Sequence, residues 1–132
     1  MITNESRKII LANNHNLCSS VFSKAKGLMF SFPINDFAIV FPFKKEKKLS
    51  LHMFFVFFAI DVLFLNKKGI VVDLKEKFLP FALYTSKKAS TVIELPCNTI
   101  NATHTKIGDY VMITGSSQRT KNDSSKNASD KC

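Results

Sequence analysis

The sequence predicts an all-β domain with one short helix near residues 20–27. Three observations carry this. The apolar residues are rich in aromatic and β-branched types, with 13 Phe and no Trp, which suit a pleated, half-buried surface. Apolar residues recur at period two in runs such as Phe37, Ile39, Phe41 and Phe43, the spacing of one face of a strand. Gly, Pro, Asn and Asp separate these runs at turn positions. At 132 residues and 45% hydrophobic content, the chain can bury one continuous core and has no room for a second domain.

In chain order, RKIILA at 7–12 reads as the first strand and the Asn/His cluster at 13–16 as a turn. Ser19 or Ser20 can cap a short helix through VFSKAK, which Gly27 would end. FAIVFPF at 37–43 is a strand, with Pro42 tolerable at an edge or strand end. KKEKK at 44–48 reads as a charged hairpin loop. The run from Leu49 to Leu65 is expected to form two buried strands with a turn near Phe58 and Ala59. NKKG closes a tight turn in which Gly69 can supply positive φ, and IVVDL forms the other arm of that hairpin. KEKFLPFALYTSKKAS reads as a polar connection punctuated by Pro80, TVIEL as a strand stopped by Pro96, and KIGDYVMI as a turn at Gly108 and Asp109 before a last strand. No internal repeat is present. Past Thr114 the residues are almost all polar, so the expected division is a β domain over 1–114 and a disordered tail over 115–132.

The apolar run at 49–65 approaches the roughly 17 to 25 residues that span a bilayer. His52 and Asp61 lie within it, a central Asp costs on the order of 3 kcal/mol on insertion, and Lys pairs flank both ends. It is therefore read as core, with no membrane partner. The four-residue apolar run Ile9 to Ala12 is shorter than the roughly 7 to 15 residues of a secretory signal, and a cytoplasmic location is expected. The formal charge of +9 comes almost wholly from Lys, with Arg7 and Arg119 the only arginines, so most of it is read as a solvated surface. Cys18, Cys97 and Cys132 have no repeated spacing and imply no disulfide framework. Cys97 is expected as a small core residue. His15 and Cys18 have a His-x-x-Cys spacing without further ligands nearby, so neither a metal nor a cofactor is expected.

Several blocks in order resemble the domain of unknown function 192 family, in the style of its archaeal members. They are KGLMF at 26–30, FPF at 41–43, LHMFFVFFAIDVLFLNKKGIVV at 51–72, ALYTSKKASTVIELP at 82–96 and KIGDYVMI at 106–113. The family's pattern falls on Lys26, His52 with Met53, Asp61, Gly69, Glu94 with Leu95, and Gly108 with Asp109. Lys26 replaces a usual Arg, Ala59 a common turn Pro, and Asn98 a frequent Gly; Asn tolerates the left-handed conformation a Gly would supply. The resemblance implies a compact β-sandwich or open barrel and supplies no reaction or substrate.

No Gly-rich phosphate loop, HExxH helix, paired CxxC or Gly-x-Ser-x-Gly elbow is present, so no catalytic residue is assigned. Lys26, His52, Asp61 and Glu94 are the candidate ligand-binding residues, because a His and carboxylates on different strands can converge. Each also has a structural reading. His52 can bond a carbonyl at the core edge, Asp61 can accept amides of the turn at 57–60 or pair with Lys26, Glu94 can sit on a half-exposed face, and Lys26 can stabilise a helix end. Three functions follow. A module binding a small molecule or a protein partner is preferred by analogy with other β-sandwiches and barrels. A nucleic-acid-associated protein is suggested by Lys44, Lys45, Lys47, Lys48, Lys67, Lys68, Lys87 and Lys88, and is disfavoured by the shortage of Arg. An enzyme with a site near His52 and Asp61 is the third.

Overall fold

The computed structural model describes residues 1–17, 37–52, 59–79 and 82–115. The helix expected near 20–27, Lys26, Cys18, Cys132 and the polar tail past Gly115 lie outside the described residues. The elements are β1 (Ile2–Asn4), β2 (Ile9–Ala12), β3 (Asn14–Leu17), β4 (Phe37–His52), β5 (Ile60–Leu65), β6 (Val71–Phe78), β7 (Leu83–Pro96), helix α1 (Thr99–Thr103) and β8 (Val111–Ile113). They form a three-stranded sheet in the order β2-β1-β8 and a five-stranded sheet in the order β3-β4-β7-β5-β6. The fold is all-β, as the composition and periodicity predict.

Two apolar clusters lie on opposite faces of the five-stranded sheet. On one face Ala38, Val40, Leu63, Leu65, Ile93 and Leu95 meet Ile2, Leu11, Ala12 and Val111 of the small sheet and Ile100 of α1. On the other, Ile39, Phe41, Ile60, Val62, Phe64, Phe78 and Val92 gather with Leu49 and Ala89. Both faces of β5 are covered, so its six residues are all buried and read as a continuous apolar run instead of an alternating one.

The second face is concave because the sheet curls over it. Phe64 is the Cα partner of Val92, and Tyr84 lies eight residues earlier on the same strand. In a flat sheet that separation would be roughly 26 Å, yet the rings of Tyr84 and Phe64 are 5.8 Å apart. The bend coincides with irregular pairing between β4 and β7, where register shifts fall between Pro42 and Lys47 and between Lys48 and Ser50. Extra residues on one strand increase its local twist and re-aim its continuation. The distal β4–β7 ribbon thereby brings Leu49, Ala89 and Tyr84 onto the concave cluster, giving the sheet an open-barrel curl.

The turn beyond Pro96 meets the other face. Asn98 has φ 75°, the left-handed conformation that Asn tolerates better than most residues. Gly69 has φ 80°, and a Cβ there would lie 2.8 Å from the Val111 carbonyl oxygen and 2.9 Å from the Tyr110 ring. Below it, the Asp109 carboxylate accepts from Asn4 Nδ2 at 2.9 Å, Arg7 Nε at 2.6 Å and the Lys106 amide at 3.0 Å, tying β1 to the loop before β8. Burial alone would raise the Asp109 pKa, but these donors and the Arg7 charge outweigh it and hold the carboxyl below its ordinary range.

Several local expectations are corrected. Asn14–Leu17 is a strand paired in parallel with β4; His15, read as a turn residue, is 1% exposed, so tertiary pairing overrides turn propensity. Residues 44–48 are no hairpin loop but the bulged middle of β4. The stretch read as a polar connection contains the end of β6 and half of β7, joined near Leu79. β1 and α1 were not anticipated, each being too short to show periodicity. Cys97 is exposed because it follows Pro96 out of the sheet. Within the apolar run, Leu49–His52 end β4 and Ile60–Leu65 form β5, with β7 between them; residues 53–58, including Phe58 of the expected turn, lie outside the described residues.

Candidate functional site

The candidate residues separate by face. Asp61 is the Cα partner of Leu95, and Val62 of Glu94. Adjacent residues of a strand point to opposite sides, so Asp61 stands with Leu95 on the small-sheet face and Glu94 stands with Val62 and Ile39 on the concave face. The fold does not bring these carboxyls together. His52 is placed by its backbone at the end of β4, opposite Leu83, and Lys26 is outside the described residues.

Asp61 is fully buried and both its oxygens are occupied. Oδ1 accepts the Lys77 amide at 3.0 Å, where Lys77 has φ 47°, and Oδ2 accepts the Ile100 amide at 2.8 Å. The second bond caps α1 from another strand: Asn98, at the N-cap position, makes no side-chain capping bond. An N-terminal helical amide lacks an intrahelical partner, and Asp61 supplies one. Its partners are amides of β6 and α1; Lys26 and residues 57 and 58 of the turn, expected as its partners, lie outside the described residues. Asp61 thus joins three elements.

Glu94 has the opposite character. It is half-buried as a residue, but its Oε2 is fully covered and has no hydrogen-bond partner. Its cross-strand neighbours, Ile39 on β4 and Val62 on β5, are apolar, and pairs of this kind hold Cβ atoms about 4.5–5.5 Å apart. Burial pushes the Glu94 carboxyl up to about 8, because the ionised form loses hydration that nothing nearby replaces. At neutral pH it is mainly a carboxylic acid, with one O–H to donate and a carbonyl oxygen to accept.

The same concave cluster contains a polar pair that sequence reasoning missed. Tyr84 rests on Phe64 and Phe78, and its hydroxyl donates to the Asp73 carboxylate. Burial, the bond to Asp73 and the Asp73 charge all raise the Tyr84 pKa, so the phenol remains a donor. His15, weighed in the sequence as a ligand only for its His-x-x-Cys spacing, has its Nδ1 3.2 Å from the Met1 amine and its Nε2 buried without a partner. Burial and the N-terminal charge lower its pKa. Among the described residues, no group of three or more His, Cys, Asp or Glu is placed to hold a metal ion, and no helix is long and apolar enough to cross a membrane.

An all-β domain with a curled sheet and a buried, unsatisfied carboxyl on its concave face is the class of protein defined here. The chain belongs to the domain of unknown function 192 family, described as an uncharacterized ACR, whose model matches residues 2–113. It is similar to a UPF0127 protein of Thermococcus sibiricus, at 33% identity over 114 residues, spanning 84% of this chain and 73% of that one. A UPF0127 protein of Pyrococcus abyssi is 30% identical over 112 residues, covering 84% and 95% respectively. A solved protein of unknown function from Novosphingobium aromaticivorans shares the fold, with a TM-score of 0.71, 18% identity and coverage of 75% of this chain and 74% of that one. The family has no assigned activity.

Proposed function

We propose that the chain is a small-molecule binding module, with the concave face of the five-stranded sheet as its binding surface and Glu94 as the polar anchor. The observation that carries this reading is the buried, unpartnered Oε2 of Glu94 between Ile39 and Val62. Folded proteins nearly always satisfy buried polar atoms, and leaving one unmet costs about 1–3 kcal/mol. Such a cost is retained where a ligand group completes the bond, and small-molecule sites are commonly apolar with a few placed polar groups. A neutral carboxyl suits a ligand with an apolar body and a carbonyl, amide or hydroxyl group.

In this reading the binding domain is residues 1–114 and its compartment is the cytoplasm, where the exposed thiol of Cys97 would stay reduced. The test is native mass spectrometry of protein purified without denaturation, comparing the unaltered chain with Glu94→Leu. The expected result is a small-molecule adduct on the former that is lost from a folded Glu94→Leu. An adduct that survives the substitution, or no adduct together with no ligand captured from a metabolite extract, overturns the reading.

A further inference from the structure

The bulge in β4 assembles a basic surface from three separate segments. Lys48 and Lys88 are Cα partners across the β4–β7 ribbon, and like charges directly opposite each other destabilise a strand pair. Lys47 precedes this rung, with its ammonium 5.1 Å from the Phe43 ring centroid, and Lys87 precedes Lys88. The β5–β6 turn is drawn to the same place, since the Lys67 amide donates to Glu46 Oε1 at 2.8 Å, bringing Lys67 and Lys68 beside the bulge that carries Lys44 and Lys45.

Two acids border this cluster, Glu46 and Asp73, and each accepts a backbone amide from it, of Lys67 and Lys87 respectively. Among the described residues the only ion pairs join Arg7 to Asp109 and Lys8 to Glu5, and Lys44, Lys45, Lys47, Lys48, Lys87 and Lys88 are all exposed. Among the described residues no acid forms an ion pair with either Lys of the rung, and a Lys pair on one rung without an intervening acid weakens the ribbon. It is relieved by a polyanion that neutralises both ammonium groups.

We propose that this ribbon binds the phosphate backbone of a nucleic-acid duplex without reading its sequence, independently of the concave face. Three features select this partner. A duplex presents regularly spaced phosphates, and a two-stranded ribbon fits a major groove. Among the described residues this surface has Lys and no Arg, so it supplies point charges and lacks the planar fork that reads guanine. Its described aromatics are also engaged: Lys47 covers Phe43, and Tyr84 is turned toward Phe64 and Phe78. That leaves little for stacking unpaired bases, the main contact in single-strand binders. An anionic membrane would instead call for an amphipathic apolar face beside the charges.

The test is fluorescence anisotropy of the full chain with labelled 20-base-pair DNA and RNA duplexes of two unrelated sequences, over a salt series. The expected result is similar affinity for both sequences, falling steeply with salt. Lys48→Gln with Lys88→Gln should bind roughly tenfold more weakly at low salt and lower the log–log salt slope by about 2, in line with two lost phosphate contacts. Its melting temperature should be unchanged or higher, while Lys8→Gln, on the β1–β2 turn, should bind as the unaltered chain does. If the double variant melts early, Lys44→Gln with Lys45→Gln replaces it, with the same loss expected. The proposal is overturned if the folded double variant binds as before, if one duplex sequence is strongly preferred, or if no duplex binds at low salt. Capture by phosphatidylserine vesicles with no capture by duplex would likewise overturn it, in favour of a membrane surface.

Discussion

The hydroxyl of Tyr84, near the distal end of β7, donates to both carboxylate oxygens of Asp73 on β6, at 3.0 and 3.1 Å. Asp73 Oδ2 also accepts the Lys87 amide at 3.0 Å, so one side chain of the edge strand holds the returning ribbon at two points. β6 and the distal part of β7 do not pair through their backbones. The curl of the sheet is therefore fastened by a side chain where a closed barrel would use a ladder.

Tyr84→Phe tests that fastening. It keeps the ring against Phe64 and Phe78 and removes only the donor to a nearly buried carboxylate. Hydrogen bonds to charged groups contribute about 1.5–3 kcal/mol, so urea denaturation should show a loss of about 2 kcal/mol. A loss below a few tenths would mean that ring packing alone holds the ribbon.

Asp61→Asn should be more damaging than its size suggests. Both oxygens accept backbone amides, and Asn turns one acceptor into a donor facing an N–H. One bond is lost, the other loses its charge assistance, and an amide is left unmet, which together cost about 3 kcal/mol. Hydrogen exchange should show the Ile100 amide and α1 losing protection first. Unchanged stability would remove Asp61 from the role of capping residue.

Gly69→Ala meets two obstacles at once, positive φ and the Val111 carbonyl 2.8 Å from the added Cβ. The same backbone accepts the Val111 amide at 2.9 Å, so the turn cannot withdraw without losing contact with β8. A loss of about 2 kcal/mol or more is expected in thermal melts. A loss under 1 kcal/mol would show that the β5–β6 turn can move away from the small sheet.

These positions show why some of the molecule is legible in its sequence. Gly69 and Asn98 are readable because left-handed backbone restricts residue type locally. Asp61 is conspicuous as a charge inside an apolar run, yet its partners, sixteen and thirty-nine residues away, depend on topology that no local pattern encodes. Glu94 follows a strand pattern that fits an exposed face equally well; its place between Ile39 of β4 and Val62 of β5 on the concave face depends on strand order. Lys44 to Lys48 resemble a loop because charge clusters usually are loops, whereas the pairing of Lys47 with Ala89 makes them strand. Tyr84 lacks any cue, since its meeting with Asp73 results from the bend itself.

Glu94 should imprint itself on the pH dependence of stability. Its carboxyl titrates at about 8 in the fold and near 4.3 in an unfolded chain, so between those values the folded state holds a proton that the unfolded state has released. Stability therefore falls as pH rises through this window, by about 1.4 kcal/mol per pH unit for one proton, and levels off above it. Tyr84, raised, affects stability only above its ordinary value of about 10, and two further shifted groups act elsewhere or oppositely. Asp109, with its lowered pKa, contributes stability above the ordinary carboxylate range that is lost in acid. His15, also lowered, makes the fold more stable as pH rises toward 6.5 and has no further effect beyond it. The interval from pH 6.5 to 8 consequently isolates Glu94 from both. Urea denaturation over that interval should show a declining free energy in the unaltered chain and a flatter profile in Glu94→Gln, which should be the more stable protein at pH 7 by about 3.5 kcal/mol. Equal slopes in the two proteins would mean that Glu94 is solvated or paired in solution, and the concave face would then lose its polar anchor.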